Sequence, residues 1–574
     1  MTGTDRDSVA DVRAGPTPVA AWAGVGMILI IAAGLTIYAG RGVTFQIDEW
    51  QWIQSRTSPG AASLLEPFHH HWMTVPIAIH QVLYRIVGLD SHLPYRLVLL
   101  AAHLVAAFVL FLYLKTRVRE WIALAATAIF ALYGYAAAIT VWPISLGWAI
   151  AMACVISALL LVDRTRSRAD FGATVLLLVA VASTTVAVPF VIGLAVETTM
   201  RREWRRVWVP LVPLAAYGLW YLAYEGQGSD TGGTVGQTLR FGQELLAQTV
   251  GSLLGIQARG SAADVALAIV LGALAVAWFA LGRPVTPRLV GNATALVVLT
   301  AALAVARAGT GLTTWYSYAV AVALFLTTAE LLSHAGTARR VVAGTVPPVA
   351  IWPVAIWPIA FWAVAIWAVV WNVGQLERIT DGFREIASAE RSQLAALELI
   401  RDDVAFDFHP GPLLQTLTAG RYREVAAEYG TPAYTVAQVL HAPHRARRAA
   451  DEVLVRGLHV RPQPSTRDGA GPPIGDLTIH NGDEGSDGCT VVRANGSGGD
   501  AIVELRSPTL DVLVQAPSGA AQLRAGVFAG ASQPIGDVAA GATARVRAPA
   551  VPEAGEWTLR VRTPGAVRFC APSG

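Results

Sequence analysis

AAWAGVGMILIIAAGLTIYAG (20–40) runs directly into RGVTFQIDEWQWIQSR (41–56). The first stretch has the length of a bilayer crossing, because about 20 apolar residues in a helix span the hydrocarbon. The second sets two adjacent acids, Asp48 and Glu49, a few residues beyond that crossing. A secretory leader has a shorter apolar core and a small-residue cleavage site. The run is therefore expected to be a retained first transmembrane helix, behind a polar tail of mixed charge over 1–19.

Composition extends this reading to most of the chain. Of 574 residues, 54% are hydrophobic and only 14% charged, whereas a soluble globular protein is about a quarter charged. A wholly soluble protein is excluded on that ground. The apolar runs stop near 371, and 372–574 reads as ordinary soluble sequence. Lys and Arg stay on the cytoplasmic side of a membrane protein. The basic junctions LKTRVRE (114–120), DRTRSR (163–168), RREWRR (201–206), GRPVTPR (282–288) and TARR (337–340) are all expected inside. That choice puts the N-terminus in the cytoplasm and both the 39–92 loop and the C-terminal region outside. Residues 171–199 carry basic clusters at both ends, so one crossing cannot satisfy the rule. VASTTVAVPF (181–190) is expected to break them into two short helices, which brings the total to about 11 membrane helices.

The 39–92 loop is long and chemically rich. WMTVPIAIHQVLYRIVG (72–88) has helical spacing of apolar residues, with His80, Gln81 and Arg85 too polar for a crossing. It reads as a helix lying in the outer interface. Asp48 and Glu49 have two readings: solvated acids opening a short helix near 50, or a general base facing an acceptor hydroxyl, with or without a metal. Trp50 and Trp52 beside them offer aromatic faces on which a sugar stacks. LLEPFHHHWMTVP (64–76) adds His69, His70 and His71. Three consecutive histidines cannot all face one ion in regular structure, and there is no HExxH spacing of the kind catalytic zinc uses. One of them contacting a phosphate or substrate, a metal role, and a purely structural role all stay open. No cofactor is certain, and a divalent metal is left open.

From here the residues resemble the GT-C superfamily of integral-membrane glycosyltransferases. The resemblance rests on the first helix, the acidic pair in the first outer loop, PFHHHWMTVP, the interfacial helix, GLDSHLPYR (88–96) and the next crossing, and covers roughly 20–371. It is strongest to the multi-helix actinobacterial type, which often carries an outer C-terminal domain. It implies a polyprenyl-phosphate-linked sugar as donor and a cell-envelope glycan, lipid or protein as acceptor, with no nucleic-acid partner. Asp48 is then the implied base, with Glu49 beside it. Arg307 in ARAGTGLTTWYSY (306–318) is the implied phosphate ligand, its bland reading being a snorkelling interfacial arginine. Where many relatives have an Arg-Tyr pair, this chain has Tyr316-Ser317-Tyr318. Two other function classes remain: a transporter or flippase of lipid-linked substrate, and a catalytically silent GT-C scaffold that binds glycan. A transporter calls for ionisable groups near the bilayer midplane; here they sit mostly at span ends, His103 apart.

The expected architecture is thus a polytopic α-helical membrane domain (20–371), an extracytoplasmic helical region (372–454) and a β-sandwich-like domain (455–574), in the plasma membrane. PPVAIWPVAIWPIAFWAVAIW (347–367) repeats every five residues as a local duplication in a last helix, kinked by its prolines. Strands are expected at EVLVRGLHVRP, DLTIHN, TVVRAN, AIVELRS, LDVLVQA and EWTLRVRT, the short regular spacing of a sandwich. Glu225 opens a glycine-rich outer loop that reads as solvated or as a mobile flap. Of three cysteines, Cys154 lies in an apolar run, while Cys489 and Cys570 share the domain placed outside. An oxidising compartment favours a Cys489–Cys570 disulfide.

Overall fold

The computed structural model describes residues 19–56, 60–164, 166–224, 233–256, 261–280, 285–333, 351–465, 474, 477–495 and 499–572. The tail before 19, the loop at Glu225, the basic residues 337–340, and Pro347 and Pro348 lie outside them. The chain forms two compact units: 1–41, 58–83 and 93–382 make one; 42–57, 84–92 and 383–574 make the other.

The first unit is helical. Among the described residues, five helices are long and apolar enough to cross a membrane: Val19–Ala39, Leu93–Lys115, Pro143–Val162, Pro287–Arg307 and Thr314–Leu332. Their outer faces stay apolar, with Ile30, Val105 and Val297 exposed, as a lipid solvent requires. Residues 171–199 form two helices, Ser167–Val181 and Val188–Met200. The break is built locally. Ser183 Oγ bonds back to the Val179 carbonyl (2.6 Å), and the Thr184 side chain accepts from the Val186 amide (3.4 Å), opening the short 3-10 turn Thr185–Ala187. Pro189 then sits in the first turn of the second helix, where its missing N–H costs nothing. The helix Ile351–Leu399 runs without interruption through Pro353 and Pro358.

In the second unit, Val43–Gln46 and the helix Asp48–Arg56 pack with the helical residues after Phe383 and with 84–92. Gly88 (φ 61) turns the chain so that the Leu89 amide reaches the Tyr429 carbonyl at 2.7 Å, while Asp90 Oδ1 accepts the Thr431 amide at 3.0 Å. A Cβ on Gly88 would fall 2.4 Å from that same carbonyl, so the turn needs glycine for both conformation and space.

Helices Ala419–Tyr429, Val436–His441 and His444–Gly457 precede the strands. EVLVRG is therefore helix, against the strand expected there. Ala446, Ala450, Val453, Leu454 and Gly457 are its buried side, a helical period that the β-branched valines obscure. Eleven described strands follow: β1 Pro462–Pro464, β2 Leu477–His480, β3 Gly482–Ser486, β4 Thr490–Ala494, β5 Ala501–Ser507, β6 Leu510–Ser518, β7 Ala521–Gly526, β8 Gln533–Val538, β9 Thr543–Ala548, β10 Trp557–Thr563 and β11 Ala566–Cys570. They make two antiparallel sheets, β1-β9-β6-β11-β4-β3 and β2-β5-β10-β7-β8. Val503, Leu559, Val561 and Leu523 alternate inward on the second sheet. The expected disulfide is present: Cys489 and Cys570 are bonded (S–S 2.08 Å) where β4 and β11 pair.

Candidate functional site

The acidic pair divides in two. Ile47 has a left-handed backbone (φ 44), an outlier for a β-branched residue, directly before the helix Asp48–Arg56. Two carboxylates hold it there. Glu49 Oε2 accepts the Gln46 amide at 3.0 Å, and Glu390 Oε1 accepts the Ile47 amide at 3.1 Å. The Gln46 side chain adds a bond to the Phe383 carbonyl (3.0 Å). Glu49 Oε1 lies 3.1 Å from His92 Nε2, both side chains being buried. An ionised carboxylate only accepts, so His92 Nε2 carries the proton. The His92 ring meets Phe45 edge-on, with centroids 4.6 Å apart. Burial pushes the Glu390 carboxyl well above the usual range, and the charge of Glu49 pushes it further, against the lowering effect of the Ile47 amide.

Both oxygens of Glu49 are thus committed within the fold, while Asp48 at the first helical position is only half-buried. A carboxylate there suits the positive end of the helix dipole. Trp50 and Trp52 are each 1% exposed, so their faces are spent on packing, Trp50 against Phe45 and Tyr422. The same helix is tied down through Gln54, whose side chain bonds the Thr416 carbonyl and whose own carbonyl accepts from Arg421.

In the helical unit, the three histidines form a tight turn. Phe68 and His71 exchange both backbone bonds (3.1 and 2.9 Å), and His69 and His70 between them have φ 47 and 68. Two successive left-handed residues are the geometry of a type I′ turn, which ordinarily takes Asn-Gly. The helix break at 183–187 secures it: the Thr185 hydroxyl meets His71 Nδ1 and the His70 carbonyl (3.3 Å), and the Val75 amide bonds the Ala182 carbonyl (3.1 Å). Trp72 stacks on Trp220 (5.5 Å, 7°), and Trp220 Nε1 donates to the Leu65 carbonyl at 2.6 Å.

This turn borders a cavity of about 370 Å³. His69, His70, His71, Thr185, Arg307 and Tyr316 supply its polar part, and Val188, Ile192, Leu299 and Leu303 its apolar wall. Arg307 ends the helix Pro287–Arg307 and is half-buried. Burial pushes the His71 pKa down to about 3, with Arg307 contributing next, so the ring is neutral at any working pH. Thr185 has a single hydroxyl proton. Given to His70, it leaves His71 Nδ1 as donor and Nε2 as acceptor; given to Nδ1, it puts a proton on Nε2. A bound anion favours the second arrangement.

Tyr318 does not line this cavity. It is fully buried, 2.9 Å from His103 Nδ1. Among the described residues, no group of three or more His, Cys, Asp or Glu side chains comes together to hold a metal. Sequence reasoning assigned no role to His92, Glu390 or Thr185. His92 stood in a quoted motif and Thr185 in a predicted break, but nothing local marks Glu390, 343 residues from the amide it holds.

No protein-family model matches the chain, and no curated protein matches it. Solved structures that resemble it include two of one protein. One is ArnT from Cupriavidus metallidurans bound to undecaprenyl phosphate, 14% identical with a TM-score of 0.42, covering 72% of this chain and 85% of that one. The other is the same protein in the apo state, 13% identical with a TM-score of 0.42, covering 72% and 90%.

Proposed function

We propose that the chain is an integral-membrane glycosyltransferase of the GT-C kind, of the actinobacterial type, moving a sugar from a polyprenyl-phosphate donor to a cell-envelope acceptor at the outer face. The observation that carries this reading is the distribution of charge along one helix. Arg288 and Arg307 lie at opposite ends of Pro287–Arg307, about 30 Å apart. At the Arg288 end, the ends of several helices share one ion cluster. Arg288 lies 2.7 Å from Asp163 and 2.6 Å from Glu197; Arg117 lies 2.8 Å from Asp163 and also bonds Glu330. Arginines at the basic junctions suit the cytoplasmic side. The opposite end, with the histidine turn, Arg307 and the apolar cavity, then belongs outside. An apolar cavity with an arginine and hydrogen-bonding imidazoles at its polar part matches a prenyl chain ending in phosphate.

In this reading Asp48 takes the proton of the acceptor hydroxyl, whose oxygen bonds the anomeric carbon as the bond to the donor phosphate breaks. Arg307, with the histidine turn and Tyr316, meets the charge on the departing phosphate. Glu49 positions Asp48. The N-terminus is cytoplasmic, 20–371 is the membrane domain with about 11 crossings and half-crossings, and 372–454 and a β-sandwich over 455–574 lie outside. The ion cluster sits at helix ends and not at mid-span, which weighs against a transporter. The Tyr316-Ser317-Tyr318 departure is the one feature favouring a silent scaffold.

The test compares membranes carrying wild type and Asp48→Asn at matched expression, given radiolabelled polyprenyl-phosphate sugars and an envelope extract. Label should reach acceptor with wild type alone. Full transfer by the variant removes Asp48 as the base, and no transfer by wild type across the panel turns the reading to the scaffold. Arg307→Ala should weaken binding of undecaprenyl phosphate about tenfold to a hundredfold, the loss of one charge-assisted contact.

A further inference from the structure

The outward face of the five-stranded sheet carries an arginine-lined cleft of about 510 Å³. Strand alternation puts Glu504 and Arg506 of β5, Arg560 and Arg562 of β10, and Arg524 of β7 on this one face. The register sets Glu504 opposite Arg560, and Arg560 opposite Arg524. Like charges directly across neighbouring strands cost stability, so the fold keeps Arg524 beside Arg560 at a disadvantage. Glu504 pairs with Arg560 (2.6 Å), and Asp500, outside the cleft, pairs with Arg562 (2.6 Å). Among the described residues the Arg524 guanidinium bonds main-chain carbonyls alone, of Ala531 and Ser532, so its charge is held in place with no carboxylate beside it there. Arg448 from the helix His444–Gly457 and Arg506 have no carboxylate partner among the described residues. Five lining arginines face one lining glutamate.

The opposite wall is built in advance. Buried Asp451 takes the amides of Val527, Phe528 and Ala529 (2.8, 2.8 and 2.9 Å) and the Ser532 hydroxyl (2.8 Å). This fixes the loop 527–532 against the helix that supplies Arg448. Among the described residues no Trp, Tyr or Phe lines the cleft. His444 is the one ring in the lining, so the cleft lacks the broad Trp, Tyr or Phe platform on which a neutral sugar or a single-stranded nucleic acid stacks. Gln522, Thr558 and Ser532 add hydrogen-bonding groups suited to hydroxyls.

We propose that this cleft binds a glycan bearing several oxyanions, phosphate or carboxylate, through arginine forks with hydrogen bonds to its hydroxyls. The proposal does not rest on the transferase reading. The test uses the full chain purified in detergent and three fluorescent probes of matched size: an oligogalacturonate, an oligomeric glycerol phosphate and a neutral dextran. At least one acidic probe should bind tenfold or more above dextran, with affinity falling as salt rises, and the two acidic arms distinguish carboxylate from phosphate. The double variant Arg448→Ala/Arg506→Ala should weaken that binding about tenfold or more. Arg493→Ala, exposed on the other sheet, should leave it unchanged. Binding of neither acidic probe above dextran overturns the proposal, as does an unaffected double variant, or an equal loss in Arg493→Ala.

Discussion

Glu49 and Asp48 are neighbours in the chain and have opposite fates, because successive residues in a helical turn point about 100° apart. Glu49 turns into the fold, where His92 and the Gln46 amide take its oxygens. His92→Ala removes the imidazole bond to that buried carboxylate and should destabilise the protein by about 1.5–3 kcal/mol, measured by denaturant unfolding in detergent. Wild-type stability in this variant would show the pair to be idle. Glu390 makes a second prediction. Its folded pKa is raised by burial, so its stabilising contribution is complete below the ordinary carboxylate value of about 4.3 and fades as pH rises through the folded value. Glu390→Gln should therefore flatten the fall of Tm across that rise; parallel Tm profiles for variant and wild type would exclude Glu390 as the titrating group.

At the scale of elements, the histidine turn and the helix break make one construction. Left-handed backbone at a residue other than glycine costs on the order of 1 kcal/mol, and His69 and His70 both carry it. Such strain persists only where surrounding contacts impose it, and it gathers at functional sites. Here the Thr185 hydroxyl and the Phe68–His71 bridge impose it. His70→Gly should raise stability by roughly 1 kcal/mol while weakening the binding of the proposed polyprenyl-phosphate donor. A variant that gains stability with binding unchanged would make the strain incidental to the cavity.

Over the whole molecule, the disulfide is the covalent tie, closing a loop with a sequence separation of 81 across the β4–β11 pair. On a chain-entropy basis such a loop is worth about 4–5 kcal/mol. Cys489→Ser should lower the thermal unfolding of the strand-rich domain accordingly, with reduction of the wild type doing the same. A domain that melts unchanged after reduction would show that the two sheets hold without it. The ion cluster belongs to this scale too, since it draws on residues from 117 to 330.

Hydropathy, basic junctions and period-two alternation are local signals, so much of the architecture could be read from the sequence. The apolar helices, the break at 183–187, strands β2, β4, β5, β6 and β10, and the disulfide follow from them. The helix over EVLVRG escaped, because three β-branched or apolar residues in a row satisfy a strand as well as a helix. The candidate residues Asp48, Glu49, the three histidines and Arg307 all stand in short conspicuous motifs. Their division of labour could not be read there. Which acid is buried, which ring nitrogen is engaged, and which tyrosine reaches a cavity depend on partners such as Glu390, Thr185 and His103, brought close from far along the chain. Composition and periodicity are sums over neighbours in sequence; burial and hydrogen bonding are set by neighbours in space, and only the folded chain supplies those.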